Sequence, residues 1–343
     1  MAPNVLSVSM WAKGTGLGSW PGQQARDATE IVVAELPLPH LVELPARGVG
    51  ADLIGRAGAL LVDIAIDVSP TGYRTTARPG AVVRRARGFL DEDMDALEEE
   101  WERGGHRGSE RAVKVQGPGP VTLAAELELP NGHRAITDPG AVRDVAASLA
   151  EGLAQHRARL SRRLGVPVMV QIDEPSLPAA LDGRLSGTSM FSPVHPVDVP
   201  TATALLDQCA EAVGGELLVH CCASDPPWEL LREANIRAIA IDVAHLADAH
   251  ALDGLASVLD TGKAVVLGVI PAQAPSTPIS SDVLATRTAA LADKLGFGRA
   301  MLRDRVGVSA GCGLAGTDLQ WARKATELTR KVSDLIDADP DAL

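Results

Sequence analysis

His220 and Cys222 stand two residues apart at the end of the apolar run Glu216 to His220. On an extended chain, positions i and i+2 share a face and the residue between them looks the other way, so the pattern selects Cys222 over Cys221. Two thiolates and an imidazole form a zinc set, and zinc favours four tetrahedral ligands, with one position kept exchangeable in catalytic sites. Cys312 is the available second sulfur and Asp242 the candidate fourth ligand. Small cysteines on strands are also ordinary packing, and a lone His-x-Cys carries little weight. The weight comes from convergence: His220, Cys222, Asp242 and Cys312 all fall at the same ends of predicted strands. Cys209 lies mid-helix and reads as core.

Two further segments bear polar groups at strand ends. Asp173-Glu174-Pro175 follows the run Val168 to Ile172, and its paired carboxylates suit an ammonium group or acid and base work, with Asp173 the candidate catalytic carboxylate. The same acids could instead cap a helix or turn. Gly14 to Pro21 offers exposed amides for a carboxylate, but no Lys-Ser/Thr pair follows it, which excludes a phosphate loop.

Residues at strand ends need a scaffold that gathers those ends. Eight short apolar runs are legible: Gly14–Trp20, His40–Leu44, Ala112–Gln116, Pro167–Ile172, Glu216–His220, Ile236–Ile241, Ala264–Val269 and Arg305–Ser309. Between them lie helical patterns that include Gln23–Leu36, Ala51–Ile66, Ala141–Leu164, Ala202–Ala212, Asp282–Leu295 and Asp318–Ile336. Strands separated by helices imply parallel neighbours, and eight such units predict an α/β fold, a single (β/α)8 TIM barrel over residues 1–343 whose active site lies past the strand C-termini. Residues 67–111 break the spacing between the second helix and the third strand. They read as an insertion with a basic patch (Arg84, Arg85, Arg87) and an acidic run, Asp91–Glu102, expected on a solvated helix face.

Composition agrees. With 46% apolar and 22% charged residues among 343, the chain is globular. A net charge of −12 repels phosphate backbones and anionic lipid, and 3% aromatic residues leave no base-stacking platform, so no nucleic acid and no membrane partner are expected. No stretch approaches a membrane span or a signal peptide, and four cysteines are too few for a disulfide framework, which predicts a cytoplasmic protein.

The motifs Gly18-Ser19-Trp20-Pro21, Gly119-Pro120-Val121-Thr122, Gln171-Ile172-Asp173-Glu174-Pro175, His220-Cys221-Cys222, Ile241-Asp242 and Cys312-Gly313-Leu314 occur in this order along the chain. In them the sequence resembles the catalytic C-terminal barrel of the cobalamin-independent methionine synthase family, in the superfamily shared with uroporphyrinogen decarboxylase. The resemblance implies a methyltransferase of methionine biosynthesis with Zn2+ on His220, Cys222 and Cys312, and Asp242 where the family usually has Glu. It also implies a homocysteine pocket in which Leu17, Gly18 and Ser19 take the carboxylate while Glu43 and Asp173, with Glu174 beside it, face the ammonium. Zinc-bound homocysteine would then attack a methyl group as thiolate.

Departures from the family pattern bear on the donor. Full-length relatives carry a second barrel that helps hold methyl-folate, and 343 residues accommodate one barrel. Glu126 stands where the family stacks an aromatic residue on the folate, Ala179 where a folate-contacting Glu would be, and Ile270 where a histidine protonates the leaving group. These differences lead to the expectation of methylcobalamin or a corrinoid protein as donor. Another small thiol as acceptor, or a noncatalytic zinc-binding relative, are the alternative readings.

Overall fold

The apolar runs pair side by side into one parallel sheet. In the computed structural model, which describes residues 8–187 and 193–343, six strands follow chain order: β3 (Val113–Pro118), β5 (Val168–Asp173), β6 (Leu217–His220), β7 (Ala238–Asp242), β8 (Ala264–Ile270) and β9 (Val306–Ala310). Almost every residue of these strands is buried, as expected of parallel strands covered on both faces. The sheet curls, with Met169, Leu218, Ala238, Ala240, Ala264 and Val266 packed against Trp11, Leu17 and Leu38 on one face. A larger apolar cluster on the other face joins the sheet to the helices. The fold is thus α/β with a curled, all-parallel six-stranded sheet.

Twelve α-helices accompany it among the described residues. They are α1 (Ala25–Glu35), α2 (Leu53–Leu60), α3 (Ala81–Arg103), α4 (Pro120–Glu126), α5 (Pro139–Leu164), α6 (Leu177–Leu181), α7 (Val199–Ala212), α8 (Trp228–Glu233), α9 (Ala249–Asp260), α10 (Ser281–Lys294), α11 (Ala300–Arg305) and α12 (Leu319–Ala338). Aspartates do much of the capping: Asp52, Asp138, Asp198, Asp248 and Asp318 each accept a backbone N–H at a helix start. No helix among the described residues is long and apolar enough to cross a membrane.

Two expected strands are not regular strands. Gly14–Trp20 and His40–Leu44 are extended segments held by isolated parallel bridges: Gly14 with Val308, Thr15 with Leu38, Ser19 with Glu43, and His40 with Lys114. They therefore connect one sheet edge, β9, to the other, β3. The helix expected over Ala51–Ile66 stops at Leu60, because Leu61 leaves the helical region with ψ at 131° and Asp63 takes a positive φ of 59°. The chain then enters a hairpin of β1 (Ala65–Ser69) and β2 (Gly72–Thr76), which pairs in parallel with β4 (Leu127–Glu128). Residues 67–111 thus contain most of this hairpin and all of α3. That helix packs Val82, Val83, Leu90, Met94, Leu97 and Trp101 inward and contacts α1, α2 and α5. Most of Asp91–Glu102 is polar outer face, with Asp93 the buried acid.

Candidate functional site

Register places the polar strand ends together. Asp173 is the Cα partner of Pro118 on β3 and of His220 on β6, so the two functional side chains start from adjacent strands at one level. Alternation puts Met169, Gln171 and Asp173 on one face of β5, with Leu218 and His220 on the same face of β6. An apolar floor is therefore followed by polar groups toward the strand C-termini, where a cavity of about 270 Å³ opens. Leu17, Ser19, Glu43, Asp173, His220, Cys222, Cys312 and Gly313 line it, with Ala51 and Leu53 as an apolar wall.

His220, Cys222 and Cys312 bring one ligand atom each within 4.8 Å of one another. Both thiols are half-buried, whereas Cys221 is 1% exposed and Cys209 is sealed in α7. The Cys312 thiol is held down at about 6, chiefly by its hydrogen bond with Cys222 against the opposing effect of burial; Cys222 is correspondingly pushed up. Burial pulls the His220 pKa down, but the hydrogen bond and charge of Asp173 outweigh it and the net direction is upward. His220 Nδ1 lies 2.7 Å from Asp173 Oδ1, and Nε2 is buried without a hydrogen-bond partner among the described residues. An imidazole oriented by a carboxylate, an orphaned second nitrogen and two thiols fit a zinc ion with a fourth position open.

Asp242 is outside this group. Its carboxylate accepts from the Ala244 N–H at 2.8 Å, starting a 3-10 turn, and abuts Gly311 beside Cys312. Glu174 is spent away from the cavity. Fully buried, it accepts from the N–H groups of Val121 (3.0 Å) and Thr122 (2.8 Å) and from the Thr122 hydroxyl (2.6 Å), anchoring the start of α4. Burial raises its pKa to about 7 against those donors. Of the two adjacent carboxylates, Asp173 faces the cavity and Glu174 serves the capping role.

The segment 17–19 is laced to its neighbours. Glu43 N–H donates to the Gly18 carbonyl (3.0 Å), Leu314 N–H to that of Ser19 (2.9 Å), and the Ser19 hydroxyl lies against Gly313. Gly18, at φ +117°, passes so close to the Gln116 side chain that a Cβ would collide with it. Glu43 is 6% exposed and 3.4 Å from Arg56 Nε; burial raises its pKa to about 7, with Arg56 opposing.

Sequence reasoning assigned no role to Lys114, Gln171, Arg56 or Asp93. Lys114 donates to Gln171 Oε1 (2.5 Å), and Gln171 Nε2 donates to Asp173 Oδ1 (2.7 Å) and the Leu17 carbonyl (3.0 Å). A lysine inside the apolar run Ala112–Gln116 was the available signal. Of the positions bearing on the methyl donor, Ile270 is buried at the end of β8. Glu126 is exposed beside Arg134 and Ser176, and Ala179 is partly buried in α6.

Residues 12–334 match the model of the cobalamin-independent synthase catalytic domain. That designation gives the expected corrinoid donor no support. The chain superposes on a B12-independent methionine synthase from Shewanella sp. W3-18-1, solved in complex with selenomethionine, with a TM-score of 0.60 at 15% identity over 96% of this chain and 98% of that one, which shows a shared fold. An adenine deaminase from Arthrobacter aurescens gives a TM-score of 0.30 at 13% identity over 98% and 96%, too low to carry an argument. No curated protein matches the chain.

Proposed function

The chain belongs to the cobalamin-independent synthase family, methyltransferases of the 5-methyltetrahydropteroyltriglutamate–homocysteine type; from that premise we propose that it methylates the thiol of homocysteine to give methionine, with zinc held by His220, Cys222 and Cys312. The observation that carries this reading is the convergence of these three ligands in the cavity that Glu43 and Asp173 also line. Bound there, zinc supplies Lewis-acid activation that makes a thiol a thiolate at neutral pH.

The chain's own groups do the rest. Amides and hydroxyl of Leu17, Gly18 and Ser19 receive the amino acid's carboxylate, while Glu43 and Asp173 receive its ammonium. Asp173 also holds His220 by Nδ1, so one carboxylate orients both substrate and ligand. Arg56 favours the ionised form of Glu43 against the larger effect of burial, and Ala51 and Leu53 exclude water from one wall. Asp242 is a reserve carboxylate next to Cys312. The bridged segments 14–19 and 38–43 support reading the sheet as a closed (β/α)8 barrel forming one catalytic domain.

Metal analysis followed by turnover tests the proposal. Stoichiometric zinc is expected in the wild type and its loss in Cys222→Ser and Cys312→Ser, with methionine formed from homocysteine. Methyl-tetrahydrofolate and methylcobalamin form separate arms, because Glu126, Ala179 and Ile270 weigh against the first and the family's cobalamin independence against the second. A wild-type protein that takes up no zinc would overturn the reading.

A further inference from the structure

Lys114 is an ammonium with no exposure, the second residue of β3 and below the cavity. Burying such a charge is costly, and a methionine of similar length would fill the space without that cost. What the ammonium adds is direction. It can only donate, so Gln171 must turn its oxygen toward Lys114, at 2.5 Å, and its NH2 group away. That NH2 has two protons and two acceptors, the Leu17 carbonyl at 3.0 Å and Asp173 Oδ1 at 2.7 Å. Asp173 Oδ1 is an acceptor in the chain, so the ring nitrogen 2.7 Å from it, His220 Nδ1, is placed to donate to it. In the neutral ring this leaves the lone pair on Nε2, which is buried and has no hydrogen-bond partner among the described residues.

We infer that Lys114, acting through Gln171, is a positioning residue: it fixes the direction of hydrogen bonding along Lys114–Gln171–Asp173–His220 and so selects the histidine tautomer able to ligate a metal. The same amide ties the Leu17 carbonyl to the chain, so the segment proposed for the substrate carboxylate is set by the group that sets the ligand. The functional consequence rests on the reading of His220 as a zinc ligand; the tautomer itself does not.

Two readouts test this on the full-length protein. Zinc affinity is measured by chelator competition for the wild type, Lys114→Met, Gln171→Met and the double variant, and the His220 tautomer by nitrogen-15 NMR of the metal-free proteins. The outer-shell partner of His220 is Asp173, and such partners are worth roughly 10- to 100-fold in affinity; Gln171 and Lys114 stand further out, and a loss of up to about 10-fold is expected in each single variant. Because the two residues act in series, the double variant should lose no more than Gln171→Met alone. With the pH raised until the ring is neutral, the wild type should show the Nδ1–H tautomer and Lys114→Met a mixture. The sign is diagnostic: removing a cation near a dication site strengthens binding on Coulomb grounds, so only a positioning role predicts weakening. The double variant leaves no unpaired cation and keeps the test valid where a single variant fails to fold. Wild-type zinc affinity with an unmixed tautomer in the double variant, or tighter binding by Lys114→Met, would overturn the inference. A wild type that binds no zinc would defeat the proposed function instead, and the tautomer measurement would still decide this one.

Discussion

Asp93 sits in an acidic run whose other members mostly face solvent, yet it has no exposure. Its two oxygens each take a guanidinium, Arg47 Nη1 and Arg56 Nη1, both at 2.7 Å, and Arg56 in turn stands 3.4 Å from Glu43 in the cavity. One carboxylate thus anchors the arginine that faces a proposed substrate-binding acid. Removing one partner of a buried ion pair leaves the other charge uncompensated, which costs about 3–5 kcal/mol. Asp93→Ala is expected to lose about that much in urea denaturation, whereas Glu99→Ala, an exposed neighbour in the same helix, should change little. Nothing local in the sequence distinguishes Asp93, since its partners lie 46 and 37 positions away. Lys114 stands out as a lysine in an apolar run, but its partner Gln171, 57 positions away, was hidden for the same reason. His220 and Cys222 were legible because two-residue alternation is a property of the strand itself, and Cys312 because few other sulfurs were available.

At the scale of elements, the six strands of the parallel sheet and helices such as α5, α7, α10 and α12 could be read, and the hairpin and the joints between elements could not. α5 begins with Asp138 and Pro139 and ends at Gly165 in the left-handed conformation, signals carried by the sequence itself. Its position is set by Gly152, where a methyl group would collide with the Leu60 carbonyl oxygen. Nearby, the Ser148 hydroxyl donates to the Val62 carbonyl at 2.6 Å. These contacts hold the end of α2, where the expected longer helix is broken. Helix propensity alone favours alanine over glycine by about 1 kcal/mol. Gly152→Ala is nevertheless expected to destabilise, by about 1–3 kcal/mol of overpacking, because the obstacle is backbone and cannot rotate aside. A chemical melt decides the sign, and a stabilised variant would mean that α2 and α5 are not locked at this point.

For the whole molecule, the consequential feature is where the proposed metal ligands sit on the sheet. His220 ends β6 and Cys222 follows it, Cys312 follows β9, and β7 and β8 lie between. A metal held by all three would tie strands separated by two neighbours, across the face where the segments 14–19 and 38–43 bridge β9 to β3. The match over residues 12–334 spans all of these elements. A ligand that binds only the folded state stabilises it by RT ln(1 + [L]/Kd), about 4 kcal/mol at a thousandfold excess over Kd. Zinc at that excess should therefore raise the melting temperature by on the order of 5 °C, and a chelator should reverse the shift. Because the ligands come from opposite ends of the β6–β9 run, the entire transition should move, in calorimetry and circular dichroism alike, and Cys312→Ser should melt at one temperature with or without zinc. A melt in which only a minor early step responds would show that the metal stitches the cavity mouth without bracing the sheet, and the single-barrel reading would then lose its energetic basis.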